Sequence, residues 1–178
     1  TNGGGPGVLA ADHAADLGIK LAKLDKETFA ALDKTLPQTW SHSNPIDLIG
    51  DADPERYRSA VELCLKDPGV DGLVVILTPQ AMTYPQEVAD VIIALAKKYD
   101  KRIRTSGMGG SLVESSRQAF SKAGIPTYLT PESALDAYHF LAAYQSNQQQ
   151  LLQTPARSSR RHKEADVDAA RLIIESAL

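Results

Sequence analysis

The sequence predicts an α/β fold: a parallel sheet covered by helices on both faces. Three observations carry this. Short apolar, β-branched runs alternate with amphipathic helical stretches along the chain. The loops between them are short, which implies βαβ crossovers and hence parallel strands. The run at 72–77, Gly-Leu-Val-Val-Ile-Leu, is continuously apolar, as a strand buried on both faces requires.

The elements follow in order. Residues 6–17 read as a helix opened by a glycine-rich loop, with Gly18 as its C-cap. Residues 19–24 alternate apolar and polar and predict a strand. Residues 26–36 form a short amphipathic helix stopped by Pro37, and 45–48 a short strand. Asp53-Pro54 starts a helix, with Asp at the N-cap, Pro at the first helical position and an apolar face of Tyr57, Val61, Cys64 and Leu65. After the strand at 72–77 come a helix at 85–99 and a strand at 101–105 that Arg102 and Arg104 make polar on one face. A helix at 111–123 ended by Gly124, a strand at 126–129 and a long helix at 131–150 complete the domain.

Composition changes after 150. Residues 154–165 lack large apolar residues, carry Arg157, Arg160, Arg161 and Lys163, and predict a linker. Residues 166–178 then read as an amphipathic helix with Val167, Ala170, Ile173, Ile174 and Leu178 on one face. The predicted organisation is thus one domain over 1–153, a linker over 154–165, and from 166 the start of a following domain. The chain opens abruptly on Thr1-Asn2-Gly3 and ends inside a helical pattern, so the expectation is a piece of a larger polypeptide.

The 178 residues are 43% hydrophobic and 23% charged, an ordinary globular composition. A net charge of −3 removes the electrostatic case for nucleic acid. No apolar run reaches the roughly 18 residues of a membrane span, and no signal-peptide pattern is present. The expected location is therefore the cytoplasm. Cys64 is the only cysteine and sits in an apolar helical context, so it reads as inert core, with no disulfide and no cysteine-based metal site.

Chemistry concentrates at the start. Gly3-Gly4-Gly5-Pro6-Gly7 lets successive N–H groups converge into an anion nest. The helix behind it adds unsatisfied first-turn amides and the positive end of its dipole. Phosphate binding and a tight structural turn are both open on this pattern alone. The loop is neither a Walker A motif nor a dinucleotide fingerprint. In Asn44-Pro45-Ile46-Asp47, Asp47 either orients a ligand or caps a turn. Gly107-Met108-Gly109-Gly110 either walls the same cleft or only starts a helix. His13, His42, His139 and His162 lack metal spacing and nucleophile context, so no catalytic or metal residue is assigned. Trp40 reads as a packing anchor.

Several segments resemble the NDP-forming (ADP-forming) acyl-CoA synthetases. They are TNGGGPGVLAAD at 1–12, SNPIDL at 43–48, MGG at 108–110, AGIPTY at 123–128 and TPESA at 130–134. The same architecture occurs in GNAT-fused protein lysine acetyltransferases. The resemblance is to the second ligase-CoA domain, which implies a flavodoxin-like, succinyl-CoA synthetase-like, doubly wound three-layer fold. It implies binding of phosphate or phosphohistidine by Asn2, Gly3, Gly4, Gly5 and Gly7, with Asn44, Asp47, Gly109 and Gly110 as further cleft residues. The implied reaction is acyl-CoA, ADP and phosphate to acid, ATP and CoA. The alternative role is a non-catalytic regulatory or assembly domain of a GNAT-fused acetyltransferase. No cofactor is assigned to this stretch itself; CoA, ADP/ATP and Mg belong to the parent enzymes. The implied partners are the CoA-binding, first ligase and ATP-grasp domains, phosphate, and other copies of the parent in a homo-oligomer. The isolated stretch is expected to be inactive.

Overall fold

A computed structural model describes residues 1–153 and 166–176. They divide into two compact units, Thr1–Ala143 and Tyr144–Leu178. In the first, α1 (Gly4–Asp16), α2 (Lys26–Thr35) and α3 (Pro54–Lys66) precede β1 (Gly72–Leu77). Then come α4 (Pro85–Lys98), β2 (Arg102–Gly107), a 3-10 turn (Gly110–Val113), α5 (Glu114–Lys122), β3 (Thr127–Tyr128) and α6 (Pro131–Leu152). The last turns of α6 and α7 (Val167–Ser176) fall in the second unit. Leu172, Ile173 and Ile174 of α7 are exposed.

The caps explain several boundaries. Asp53 Oδ1 accepts the Arg56 N–H at 2.7 Å, and Pro54 occupies a first-turn position whose amide would be unpaired anyway. Gly18 takes a φ of +69°, the left-handed turn a side chain disfavours, as the chain leaves α1. Pro85 starts α4, and Gly124 (φ +75°) follows α5.

The sheet is parallel, in the order β1–β2–β3. Ile103 lies opposite Leu73, Arg104 opposite Val74, and Thr105 opposite Thr127. Alternation along each strand splits the side chains between two layers. One face packs Val75, Leu77 and Ile103 against Tyr57, Val61 and Leu65 of α3, Val88 and Ile92 of α4, and Phe120 of α5. The other sets Ile76 against Ala10 and Ala14 of α1 and Leu135 of α6. The result is a three-layer αβα arrangement. Burying each large aliphatic or aromatic side chain is worth about 1.5–3 kcal/mol, so the α3–α4–α5 face carries most of the stability.

Two predicted strands do not form. Residues 19–24 have the alternation of a strand but no ladder partner. Their backbone is held by point contacts: Ile19 N–H donates to Ala14 at 2.8 Å, the Asn44 amide to Ala22 O at 3.0 Å, and the Asp25 N–H to the Asp67 carboxylate at 2.9 Å. Residues 45–48, entered through a cis Asn44–Pro45 bond, also remain irregular. Among the described residues only Thr1 lies alongside: its N-terminal nitrogen donates to Ile46 O at 3.0 Å and its carbonyl accepts from Leu48 N–H at 2.7 Å. One residue of pairing is too little for a strand.

The polar face predicted for β2 is wet only at Arg102, which is exposed at the start of the strand. Arg104 is buried, its guanidinium carbon 3.8 Å from the Tyr138 ring centre, and its Nε has no hydrogen-bond partner. The helix predicted at 111–123 begins as the 3-10 turn and becomes α-helical only from Glu114. The linker predicted over 154–165, with Arg157, Arg160, Arg161, His162 and Lys163, lies outside the described residues, as does Leu178.

Candidate functional site

The glycine loop runs straight into α1, and Gly4 and Gly5 already belong to its first turn. The Gly3 N–H is taken by Thr1 Oγ1 at 3.1 Å, and that of Gly7 by Gly3 O at 3.3 Å. Gly3 at the N-cap offers no side chain. Among the described residues, the amides of Gly4 and Gly5 have no acceptor, as expected for a first turn without a side-chain cap.

Asn2 fixes this loop to the sheet. It is fully buried. Its Nδ2 donates to Thr78 O at 2.7 Å and to Thr83 Oγ1 at 3.4 Å, while its Oδ1 accepts Thr78 N–H at 2.8 Å. The carboxamide thus continues β1 as a neighbouring strand's backbone would, and both its ends are committed.

The glycines are close-packed for different reasons. A Cβ on Gly3 would meet Thr78 Oγ1 at 3.1 Å, and one on Gly7 would meet Thr1 Cγ2 at 3.2 Å and Pro45 Cβ at 3.6 Å. A Cβ on Gly4 would lie 3.2 Å from Asp47 Oδ2. Around Gly5 there is open space. Asp47 therefore reaches the mouth of α1. Its Oδ1 accepts Ile49 N–H at 3.0 Å, and its own N–H donates to Ser41 Oγ at 2.9 Å. Its charge is felt at Tyr57, whose buried phenol donates to Ile76 O at 3.0 Å; burial, then Asp47, holds that phenol protonated.

The second glycine turn meets the first through the loop after β1. Gly109 has a φ of +155°, and a Cβ there would sit 2.3 Å from Pro79 Cγ. Met108 N–H donates to Leu77 O at 2.9 Å. The contacts run Gly3–Thr78–Pro79–Gly109, at the carboxyl ends of β1 and β2, where an open α/β sheet binds its ligands. Gly110 (φ +56°) has open space around it. Asn44 stands apart, bracing the loop through Ala22 O. Thr78 is a residue to which the sequence gives no individual role, only a place in a loop at a strand's carboxyl end. Its Oγ1 is buried beside Gly3 without a hydrogen-bond partner. Only its place just past the strongest strand pointed to it.

The histidines lie elsewhere. His13 Nε2 is 2.7 Å from Asp136 on α6. The His42 ring lies tilted against Trp40, with ring centres 4.6 Å apart, and contacts Asp33 and Gln38. His139 is exposed on α6. Trp40 is buried and donates to Asp33 at 2.9 Å, a packing anchor. Cys64 is buried, and that burial pushes its thiol up to about 11, so it carries no reactive thiolate. Among the described residues no group of His, Cys, Asp and Glu could hold a metal, and no helix is long and apolar enough to cross a membrane.

Comparison with known proteins bears on the family and the fold. The model of the Ligase-CoA domain matches residues 1–146. The chain is 38% identical over 152 residues to the alpha subunit of the ADP-forming acetate–CoA ligase II of Pyrococcus furiosus, covering 83% of this chain and 33% of that one. It is 45% identical over 148 residues to the ADP-forming acetate–CoA ligase of Methanocaldococcus jannaschii, covering 81% of this chain and 21% of that one. It superposes on the apo form of the dinucleotide-forming acetyl-coenzyme A synthetase 1 of Ca. Korarchaeum cryptofilum with a TM-score of 0.81 at 34% identity, covering 87% of this chain and 34% of that one. The same enzyme in complex with phosphate and ADP gives a TM-score of 0.80, with the same identity and coverage. The chain spans between a fifth and about a third of these relatives.

Proposed function

The chain belongs to the Ligase-CoA domain family, and on that premise we propose that it is the phosphate- and phosphohistidine-binding domain of an ADP-forming acyl-CoA synthetase. The reaction of the whole enzyme is acyl-CoA, ADP and phosphate to acid, ATP and CoA, with an acetyl group as the favoured acyl class. The observation that carries the reading is the pair of unsatisfied amides, Gly4 and Gly5, at the start of a helix whose loop Asn2 clamps to the sheet.

Two charge-assisted hydrogen bonds supply about 1.5–3 kcal/mol each, and the helix end about 0.3–1 kcal/mol more. That total of about 3–7 kcal/mol, less the cost of immobilising the ion, leaves binding of free phosphate on the order of millimolar. Weak binding suits a site whose ligand arrives tethered. A phosphorylated imidazole on a neighbouring domain reaches an effective concentration on the order of millimolar, independent of that of free phosphate. The nest then steadies the phosphoryl charge between its formation from acyl phosphate and its transfer to ADP. The imidazole itself comes from another domain, as the family resemblance implies; among the described residues His13 and His42 face carboxylates and His139 lies on α6, and none belongs to the glycine loop. Asn2 serves by fixing the loop, Gly3 and Gly7 by allowing its close approach. The CoA-binding and ATP-grasp steps fall to further domains of the parent.

Gly4→Val tests this in the polypeptide that contains the chain. The isopropyl group fills the space between Gly4 and Asp47 and screens the amides. ATP formation from acetyl-CoA, ADP and phosphate falls at least about a hundredfold, the scale of losing an oxyanion donor. Turnover within twofold of the unmodified enzyme, with the variant folded, overturns the proposal.

A further inference from the structure

An anion nest with a carboxylate at its mouth raises a question of charge. Asp47 Oδ2 lies 3.2 Å from where a Gly4 Cβ would be, beside the free amides. The carboxylate is anchored there, because its Oδ1 accepts the Ile49 N–H and its backbone N–H is held by Ser41. A carboxylate only accepts hydrogen bonds. A fully ionised oxyanion in the nest meets repulsion from Asp47. An anion carrying a proton donor turns that contact into a short charge-assisted hydrogen bond. Beside Gly3 of the same loop, Thr78 Oγ1 is buried and without a partner.

We propose that Asp47 makes the site selective for a phosphoryl group bearing a hydrogen-bond donor, against oxyanions of the same size that have none. This deepens, and rests on, the phosphate-binding reading above. The donor is the P–OH of a monoprotonated phosphoryl group, as inorganic phosphate carries at pH 7, which presents its proton to Oδ2 while the ionised oxygens face Gly4 and Gly5; a phosphorylated imidazole adds a ring N–H only when its ring is protonated. Asp47 is thus a specificity residue, not a group that transfers the phosphoryl unit. The alternative within the same geometry is that Asp47 merely fills the helix end as a cap, in which case every anion is excluded alike.

Sulfate and inorganic phosphate separate these cases, since both are tetrahedral and at pH 7 only phosphate retains a proton. Their affinities for the 178-residue chain are measured by titrating the glycine amides in a 15N-labelled sample, for the unmodified protein and for Asp47→Asn. The asparagine keeps an oxygen for Ile49 N–H, and Trp40 fluorescence reports whether the loop and its core stay folded. The expected result is phosphate favoured over sulfate by about tenfold or more. In Asp47→Asn the ratio falls to within about twofold, mainly because sulfate binds better. An unchanged ratio in Asp47→Asn overturns the inference. So does a variant that gains both anions equally, which identifies Asp47 as a cap. Absence of binding by both anions to both proteins overturns the nest itself, and with it the proposed function.

Discussion

Asn2 and Thr78, 76 positions apart, form a closed pair: the Asn2 amide donates to the Thr78 carbonyl at 2.7 Å and its oxygen accepts the Thr78 N–H at 2.8 Å. A side chain thereby does the work of a strand backbone and sets where α1 begins. The glycine loop is positioned by this pair, not by its own sequence, and the unpaired amides of Gly4 and Gly5 inherit their direction from it.

Asn2→Ala removes both bonds and leaves the Thr78 N–H and carbonyl without those partners. The expected loss is about 2–4 kcal/mol of stability, read from the urea midpoint at constant slope. A loss under about 0.5 kcal/mol contradicts the clamp.

Two glycine substitutions behave oppositely. Gly109→Ala places a methyl group 2.3 Å from Pro79 Cγ on a backbone of φ +155°, and costs about 2–4 kcal/mol. Gly5→Ala meets open space in the first turn of a helix and leaves stability unchanged or raised by up to about 1 kcal/mol. Thermal unfolding of the two variants side by side checks the contrast.

Stability falls in acid through Glu62. Lys98, at 2.7 Å, and then the Tyr99 hydroxyl, at 2.6 Å, hold its carboxyl down to about 2. A depressed carboxylate contributes above its unfolded value of 4.5 and loses that contribution as pH drops toward 2. Glu62 is a surface group, screened by solvent, so the effect is small. Urea midpoints taken between pH 2 and 6 decline less steeply in Glu62→Gln than in the unmodified chain. Parallel slopes contradict the pairing.

Arg104→Met leaves stability within about 1 kcal/mol. The contact with the Tyr138 ring, about 2 kcal/mol, is lost. Its loss is offset by removing a buried Nε without a partner, a penalty of about 1–3 kcal/mol. Loss of more than 3 kcal/mol in urea unfolding contradicts this balance.

What could be read in the sequence is what local chemistry decides. Asp53-Pro54 announces α3 because cap and proline act within one turn. β1 is legible because burial on both faces leaves no polar position in Gly-Leu-Val-Val-Ile-Leu. Residues 19–24 mislead because alternation describes a half-buried surface, while a strand also needs a partner edge, and side chains of Asn44 and Asp67 tie that segment instead. The glycine loop is visible as a pattern. That Asn2 is spent on Thr78, that Asp47 faces Gly4, and that Pro79 joins the two glycine turns are long-range facts no local spacing encodes.

The most direct measurement is a phosphate titration of the 15N-labelled chain. The account predicts saturable shifts, with an affinity on the order of millimolar, largest at the Gly4 and Gly5 amides and absent at Gly18 and Gly124. Uniform small shifts across all glycines, or none at Gly4 and Gly5 up to about 50 mM phosphate, well beyond that range, contradict it.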